Sequence, residues 1–276
     1  MLRSFNRRLH IGLHPDRVVL SSSVGIWRSR ESDSLAQPVL AKPGSMPCQQ
    51  VLDVLETTLA DSRWHRFGAR VLLSNALVRY TVVPSSPLIS NLNEEAALAR
   101  LKFQQIHGSA SGEAEIRLAH ALSGKSQLAA SLDPVFNDRL KELCGAAQLR
   151  LLSVEPALMR AFNCSARSLR GEKFWFLHAE HALVTAARFE NGACVGVNTL
   201  PLEGALSRTL KDVLDTLELM ESCTSVAPLV YLHAPGIALD GCDPGPERVL
   251  VDLSARREGA RFGSRAATEN LSGALS

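Results

Sequence analysis

The sequence predicts a mixed α/β protein built from two similar lobes. Hydrophobic residues make up 46% of the 276 residues and charged residues 21%, as in an ordinary folded globular chain. Short β-branched runs alternate with segments whose apolar residues recur at helical spacing. Each half opens with antiparallel strands and continues into helix and strand. A repeated β-β-β-α unit of this kind indicates two related lobes rather than one singly wound sheet.

The first half begins with a predicted hairpin, followed by a loop over residues 28–47 that is rich in Ser, Pro and Gly. Helices are predicted from N-caps, from proline at a first helical position and from helical spacing. Asn93 is the predicted cap of the second helix and Asp133 that of the third. The predicted strands are 9–13, 17–21, 70–73, 78–83, 114–121, 127–132 and 149–154, and 70–73 and 78–83 are expected to adjoin. The predicted helices are 48–59, 93–106, 133–144 and 156–164.

The second half has the same organisation. Asn191-Gly192 predicts a tight hairpin turn, because both residues tolerate the left-handed backbone that such turns require. Strands are predicted over 174–178, 183–189, 194–200, 229–233 and 249–253, and a long helix over 205–220. The chain after Ser254 is rich in Arg, Ala, Gly and Ser, which predicts a disordered tail.

Charge and cysteine usage predict a cytosolic protein. The net charge of +2 is too small to indicate nucleic-acid binding. The six cysteines contain no C-x-x-C pair, and neither a secretory signal nor a run of about 20 apolar residues is found, so reduced thiols are expected. Arginines concentrate in residues 1–30, where Arg3, Arg7 and Arg8 are candidates for contact with an acidic partner or a membrane surface.

Three passages resemble the pilus-assembly protein PilM and the cytoplasmic part of the secretion protein GspL, both of the actin-like ATPase superfamily. The first, residues 128–162, contains Ser153-Val154-Glu155-Pro156-Ala157-Leu158. The second, residues 175–206, is similar to the block of strands that opens the second lobe and ends in Leu200-Pro201-Leu202-Glu203-Gly204. The third is the strand Val230-Tyr231-Leu232-His233. The resemblance covers roughly residues 68–235.

This resemblance implies a two-lobed actin-like ATPase (RNase H-like) fold in a degenerate form. It implies a first lobe over residues 1–154, with an inserted subdomain near 70–132. The second lobe is expected over 155–253 and the disordered tail over 254–276.

The resemblance also implies three nucleotide loops, and the sequence departs from the expected pattern in each. The first phosphate loop is expected to contain an acid and a glycine, whereas Gly12 is followed here by Leu13 and His14. The nearest acid, Asp16, lies beyond the turn. Glycines let backbone N–H groups approach a phosphate, and the acids orient metal-bound water.

The other two loops depart in the same way. The second phosphate loop holds Ala179 and Glu180 without a glycine, and the adenosine loop has Pro235 before Gly236 where two glycines are expected. Gly204 marks the end of the second resembling passage. The hypothesis is therefore a pseudo-ATPase with no catalytic residue, no metal ligand and no expected cofactor.

The resemblance implies a function in assembly. The chain is expected to be a cytoplasmic scaffold, peripheral at the inner membrane, of a type IV pilus or type II secretion platform. It would bind the PilN-like cytoplasmic peptide of an inner-membrane partner and help to recruit an assembly ATPase. An active ATPase or kinase of the same fold is the alternative, in which Asp16 or Glu180 would act beside bound ATP and Mg²⁺.

Two further motifs are set aside. Gly124-Lys125-Ser126 imitates the end of a P-loop, but Ala119 stands where the first glycine is required, and a strand is predicted to follow. His178, Glu180 and His181 imitate part of a metal site, but residues 178 and 181 of a strand point to opposite faces.

Overall fold

A computed structural model gives the fold. It describes residues 7–24, 30–40, 46–86, 89, 91–108, 114–119, 125–221 and 227–254. The strands are β1 (Arg7–Leu13), β2 (Arg17–Val24), β3 (Arg30–Pro38), β4 (Gly68–Leu73), β5 (Arg79–Val83), β6 (Glu115–Leu118), β7 (Gln127–Leu132), β8 (Arg150–Pro156), β9 (Lys173–Glu180), β10 (Leu183–Glu190), β11 (Ala193–Pro201), β12 (Leu229–His233) and β13 (Val249–Asp252). The helices are α1 (Pro47–Leu59), α2 (Leu92–His107), α3 (Pro134–Ala146), α4 (Ala157–Ser165) and α5 (Leu206–Met220).

Two five-stranded sheets share one topology. The first has the order β3-β2-β1-β4-β8 and the second the order β11-β10-β9-β12-β13. In each, three antiparallel strands are followed by two parallel ones. A helix connects the last antiparallel strand to the first parallel one, as parallel pairing requires. The repeated β-β-β-α unit predicted from the sequence is therefore present in both halves.

Between β4 and α3 the chain forms a third sheet, with the order β5-β7-β6, and the helix α2. Contacts between residues group the chain into two compact units. One comprises the described residues up to 78 together with 133–160, and the other comprises 79–132 together with the described residues from 161 onward.

The cores follow from strand alternation. In β1, Leu9, Ile11 and Leu13 are fully buried on one face of the first sheet. In the second sheet, Trp175 and Leu177 lie in one cluster with Leu210 and other buried residues of α5. The buried residues of α5 recur at helical spacing, and core packing is their role.

Three local predictions were wrong. The segment predicted as a loop over residues 28–47 contains β3. This strand is polar because an edge strand pairs on one side only and needs no continuous apolar run. The cap of α2 is Asn91, whose side chain accepts hydrogen bonds from the backbone of Asn93 and Glu94, so Asn93 lies inside the helix. The strands β4 and β5, predicted as neighbours, belong to different sheets.

The predicted tail over 254–276 lies outside the described residues from residue 255 onward. Arg3 is also outside them.

Two local predictions, a turn and a helix cap, agree with the structure. Asn191 and Gly192 both have positive φ, 50° and 77°, as the hairpin turn requires, and Asp133 caps α3 through the backbone of Val135 and Phe136.

A buried asparagine connects the end of β4 to the start of α4. Asn75 lies in the short 3-10 turn after β4 and is 2% exposed. Its side-chain oxygen accepts a hydrogen bond of 3.0 Å from the backbone N–H of Leu158, in the first turn of α4. This bond satisfies one of the N–H groups that a helix start leaves without a partner.

We predict that Asn75→Ala lowers the free energy of unfolding by about 1–3 kcal/mol, because it leaves a buried N–H without an acceptor. Urea denaturation measures the change. Asn93→Ala is the control: this side chain is exposed on α2, and the substitution should cost no more than about 0.5 kcal/mol. Equal losses from the two variants would contradict the assignment of Asn75 as the cap of α4.

Candidate functional site

The first nucleotide-loop position is a closed hairpin turn between β1 and β2. His14 and Arg17 exchange backbone hydrogen bonds of 2.9 and 3.3 Å, so the turn uses its own N–H groups. Asp16 is exposed at the tip, where its carboxylate pairs with Arg17 at 3.3 Å. The His14 imidazole lies over Gly12, with Nε2 at 3.4 Å from the point where a Cβ on that glycine would lie. The space beside the glycine is therefore occupied by a side chain.

The second position is the turn between β9 and β10. Glu180 pairs with Leu183 in the strand register, which leaves His181 and Ala182 as the two turn residues. Ala179 is 1% exposed and belongs to the core shared with α5. A two-residue turn without glycine has no extended run of free N–H groups with which to cradle an anion.

The third position follows β12. Ile237 donates a backbone hydrogen bond to Ala234, and Gly236 has a φ of 77° behind Pro235. Proline followed by a residue with positive φ is the pattern of a type II turn. Gly236 therefore provides the positive φ that the turn requires. The N–H of Ala234 donates to the Ser254 hydroxyl at 2.8 Å.

Gly204, the remaining predicted position, lies just before α5. Its φ of 93° favours glycine, because residues with a side chain rarely adopt a positive φ, and a Cβ here would meet nothing within 4 Å. No side chain caps the following helix start at Ala205.

A pair of stacked histidines lies where β9 and β12 end side by side. His178 and His233 are register partners, and their ring centroids are 5.2 Å apart with an interplanar angle of 26°. Both are 5% exposed. Thr185 is the partner of His178 on β10, and its hydroxyl shares a 3.1 Å hydrogen bond with Thr199. The end of this sheet is thus filled by imidazole rings and hydroxyls rather than by glycine backbone.

The sequence had indicated His178 as an unusual residue but had not connected it with His233. The signal was present, since β9 and β12 both contain an aromatic residue followed by Leu-His. Within the described part of the chain, no three His, Cys, Asp or Glu side chains come together in a way that could hold a metal ion.

A cationic cluster, which the sequence analysis missed, lies on the first sheet. We name it the arginine cluster: His10, Arg70, Arg160 and Arg8. His10 is 3% exposed and is the register partner of Arg70 in the parallel pairing of β1 with β4. Burial is the largest cause that lowers the pKa of His10, to about 4, and the charges of Arg70, Arg160 and Arg8 add to it.

Arg160 of the arginine cluster pairs with an acid, Glu155. The Glu155 carboxylate accepts a hydrogen bond of 3.3 Å from Nη1 of Arg160, and β2 contributes Ser21 opposite His10. The signal for the cluster was a basic residue inside an apolar strand, as in Leu9-His10-Ile11 and Ala69-Arg70-Val71. Such residues face away from the apolar core of their sheet.

We predict that stability falls as the pH falls through the interval between about 6.5 and about 4. The folded chain keeps His10 neutral there, whereas the unfolded chain binds the proton, so stability is full above the unfolded pKa. The loss amounts to about 2 kcal/mol between pH 7 and pH 4.5. Urea denaturation of the native chain and of His10→Asn at both pH values isolates the contribution of His10 to the free energy of unfolding. Parallel pH profiles of the two proteins would contradict it.

No family model matches the chain, and neither does the sequence of any curated protein. Several solved structures are similar to the chain. The cytoplasmic domain of EpsL, an inner membrane component of the type II secretion system of Vibrio cholerae, has a TM-score of 0.54 at 10% identity, covering 91% of this chain and 88% of that one. A chain of the PilM–PilN type IV pilus biogenesis complex has a TM-score of 0.53 at 15% identity, covering 84% and 82%.

A third structure is a Bacteroides thetaiotaomicron protein of unknown function that has an actin-like ATPase fold. Its TM-score is 0.54 at 14% identity, with 86% of this chain and 84% of that chain covered. The duplicated sheet order and these similarities establish the class: the chain has the actin-like ATPase fold, a mixed α/β architecture. The fold predicted from the sequence is thereby confirmed, and the PilM and EpsL structures are among those with which it is shared.

Proposed function

We propose that this chain is a non-catalytic scaffold of a type IV pilus or type II secretion assembly platform. The similarity to the EpsL cytoplasmic domain and to the PilM–PilN complex supports a place in such a platform. The observation that carries the non-catalytic part is the geometry of the three nucleotide-loop positions. Backbone hydrogen bonds close the first turn, a two-residue turn without glycine forms the second, and at the third the N–H of Ala234 donates to the Ser254 hydroxyl.

These positions are unsuited to nucleotide because a phosphate is held by several backbone N–H groups that already point at it and have no other acceptor. At the first position these groups close the turn between His14 and Arg17, and at the third the N–H of Ala234 is bonded to Ser254. Asp16 is paired with Arg17 and exposed at a turn tip. In this proposal neither Asp16 nor Glu180 orients metal-bound water, and ATP and Mg²⁺ are not cofactors.

The proposed partner is the cytoplasmic segment of an inner-membrane protein similar to PilN, and an assembly ATPase is a second proposed partner. No helix in the described part of the chain is long and apolar enough to cross a bilayer. In this proposal the chain is cytoplasmic and reaches the inner membrane through its partner.

Affinity capture tests the partner. The tagged full chain serves as bait for detergent-solubilised membranes of the cells from which it comes, with the tag alone as control. We predict that an inner-membrane pilus or secretion protein is recovered in EDTA and without nucleotide, in an amount nearly equal to that of the bait. Addition of ATP and Mg²⁺ should leave the yield unchanged, because the scaffold needs no nucleotide.

Two outcomes would contradict the proposal. Recovery that requires ATP and Mg²⁺ would favour the active ATPase, with Asp16 or Glu180 in a catalytic role. If no membrane protein is recovered under any condition, the proposed function in assembly is contradicted.

A further inference from the structure

The arginine cluster lies on the face of the first sheet opposite to its apolar core. His10, Arg70 and Ser153 form one row across β1, β4 and β8, and Leu72 and Glu155 form the next row on the same face. Arg160 reaches this face from α4. Strand pairing and the start of one helix therefore place five polar side chains on one face of the sheet.

The charges in this cluster do not balance. Among the described residues, three guanidinium groups, from Arg8, Arg70 and Arg160, are near His10, and one acid, Glu155, is bonded to Arg160. With His10 neutral, the local sum is three positive charges and one negative charge, or +2. The Arg160 and Glu155 side chains are 16% and 34% exposed, so water screens this excess only in part.

Donors in the cluster also lack acceptors. The Nε atoms of Arg70 and Arg160 and the Ser153 hydroxyl are buried, and none has a hydrogen-bond partner among the described residues. The bond from Arg160 to Glu155 uses Nη1 and leaves Nε unengaged. A buried donor without an acceptor is costly, and guanidinium groups bind carboxylates through paired N–H groups.

Two of these donors, Arg70 and Arg160, line a small cavity together with Leu72 and Glu155, and its volume of about 10 Å³ admits a water-sized group. A carboxylate oxygen is a group of that size, and it accepts from guanidinium N–H donors.

We propose that Arg70 and Arg160 form a binding site for a carboxylate, supplied either by a small free acid or by an acidic side chain of a partner protein. The site lies within one compact unit and is independent of the nucleotide loops and of the assembly function proposed above. His10 lies beside it as a neutral reporter, because a bound negative charge favours protonation of a neighbouring imidazole.

Histidine NMR tests the proposal on the full chain. The ring signals of His10 are assigned with His10→Asn and followed while sodium acetate is added up to about 100 mM, a range that detects even millimolar affinity. Equivalent additions of sodium chloride control for ionic strength. We expect a saturable shift of the His10 signal with acetate at pH 7, where the carboxylate is fully ionised.

Variants identify the donors. Arg70→Gln and Arg160→Gln should abolish the saturable response, while Arg150→Gln, an exposed arginine on the same sheet, should retain it. Arg70→Lys and Arg160→Lys keep the charge without the planar donor pair, and should weaken the response at least tenfold. The lysine variants keep the test decisive if a glutamine variant does not fold.

A triglutamate peptide distinguishes the two sources. Saturation at a much lower concentration with the peptide than with acetate identifies an acidic partner segment, and equal responses at equal carboxylate concentration identify a small acid. A His10 signal that responds no more to acetate or peptide than to chloride would show that water alone satisfies the donors, and would overturn the proposal.

Discussion

The parallel pairing at the centre of each sheet determines which residues meet at the strand ends. In the second sheet the pairing of β9 with β12 puts His178 against His233, and the turns that follow both strands start at the same edge. In the first sheet the pairing of β1 with β4 puts His10 against Arg70 in the middle of both strands, and Leu13 against Leu73 at their carboxyl ends. Ligands of open α/β sheets bind outside the carboxyl ends of their strands, so the residues at these ends decide the chemistry that the fold can perform.

The same strand order therefore supports different chemistry according to what occupies those ends. Glycine at a turn exposes backbone N–H groups, whereas histidine, proline and alanine fill the space with side chains. The turn at Pro235-Gly236 illustrates the difference, since its glycine provides the positive φ of a type II turn. A fold shared with ATPases consequently gives no evidence of ATP hydrolysis without the loops that hydrolysis needs.

Much of the fold could be predicted from the sequence because its signals are local. The Asn191-Gly192 turn, the Asp133-Pro134 helix start and the apolar stripe of α5 each depend on a few neighbouring residues. The edge strand β3 was missed because its pairing depends on β2, and its own residues are polar. The sheets to which β4 and β5 belong could not be deduced from their closeness along the chain.

The candidate site was predictable only in part. The absence of glycines and acids from the expected positions is a property of the sequence, and Asp16 and Glu180 could be named from it. The pairing of His178 with His233 and the arginine cluster depend on strand register across long separations, which spacing along the chain does not reveal. A basic residue within an apolar strand, such as Arg70, was the available signal for the cluster.

Under the proposed function, the chain does not bind nucleotide. Titration calorimetry of the purified chain with ATP and Mg²⁺, accompanied by thermal unfolding at millimolar nucleotide, measures this directly. We expect no heat of binding and no increase in the unfolding temperature. Binding in the low micromolar range would contradict it, and turnover would then be assayed with Glu180→Gln and Asp16→Asn as variants.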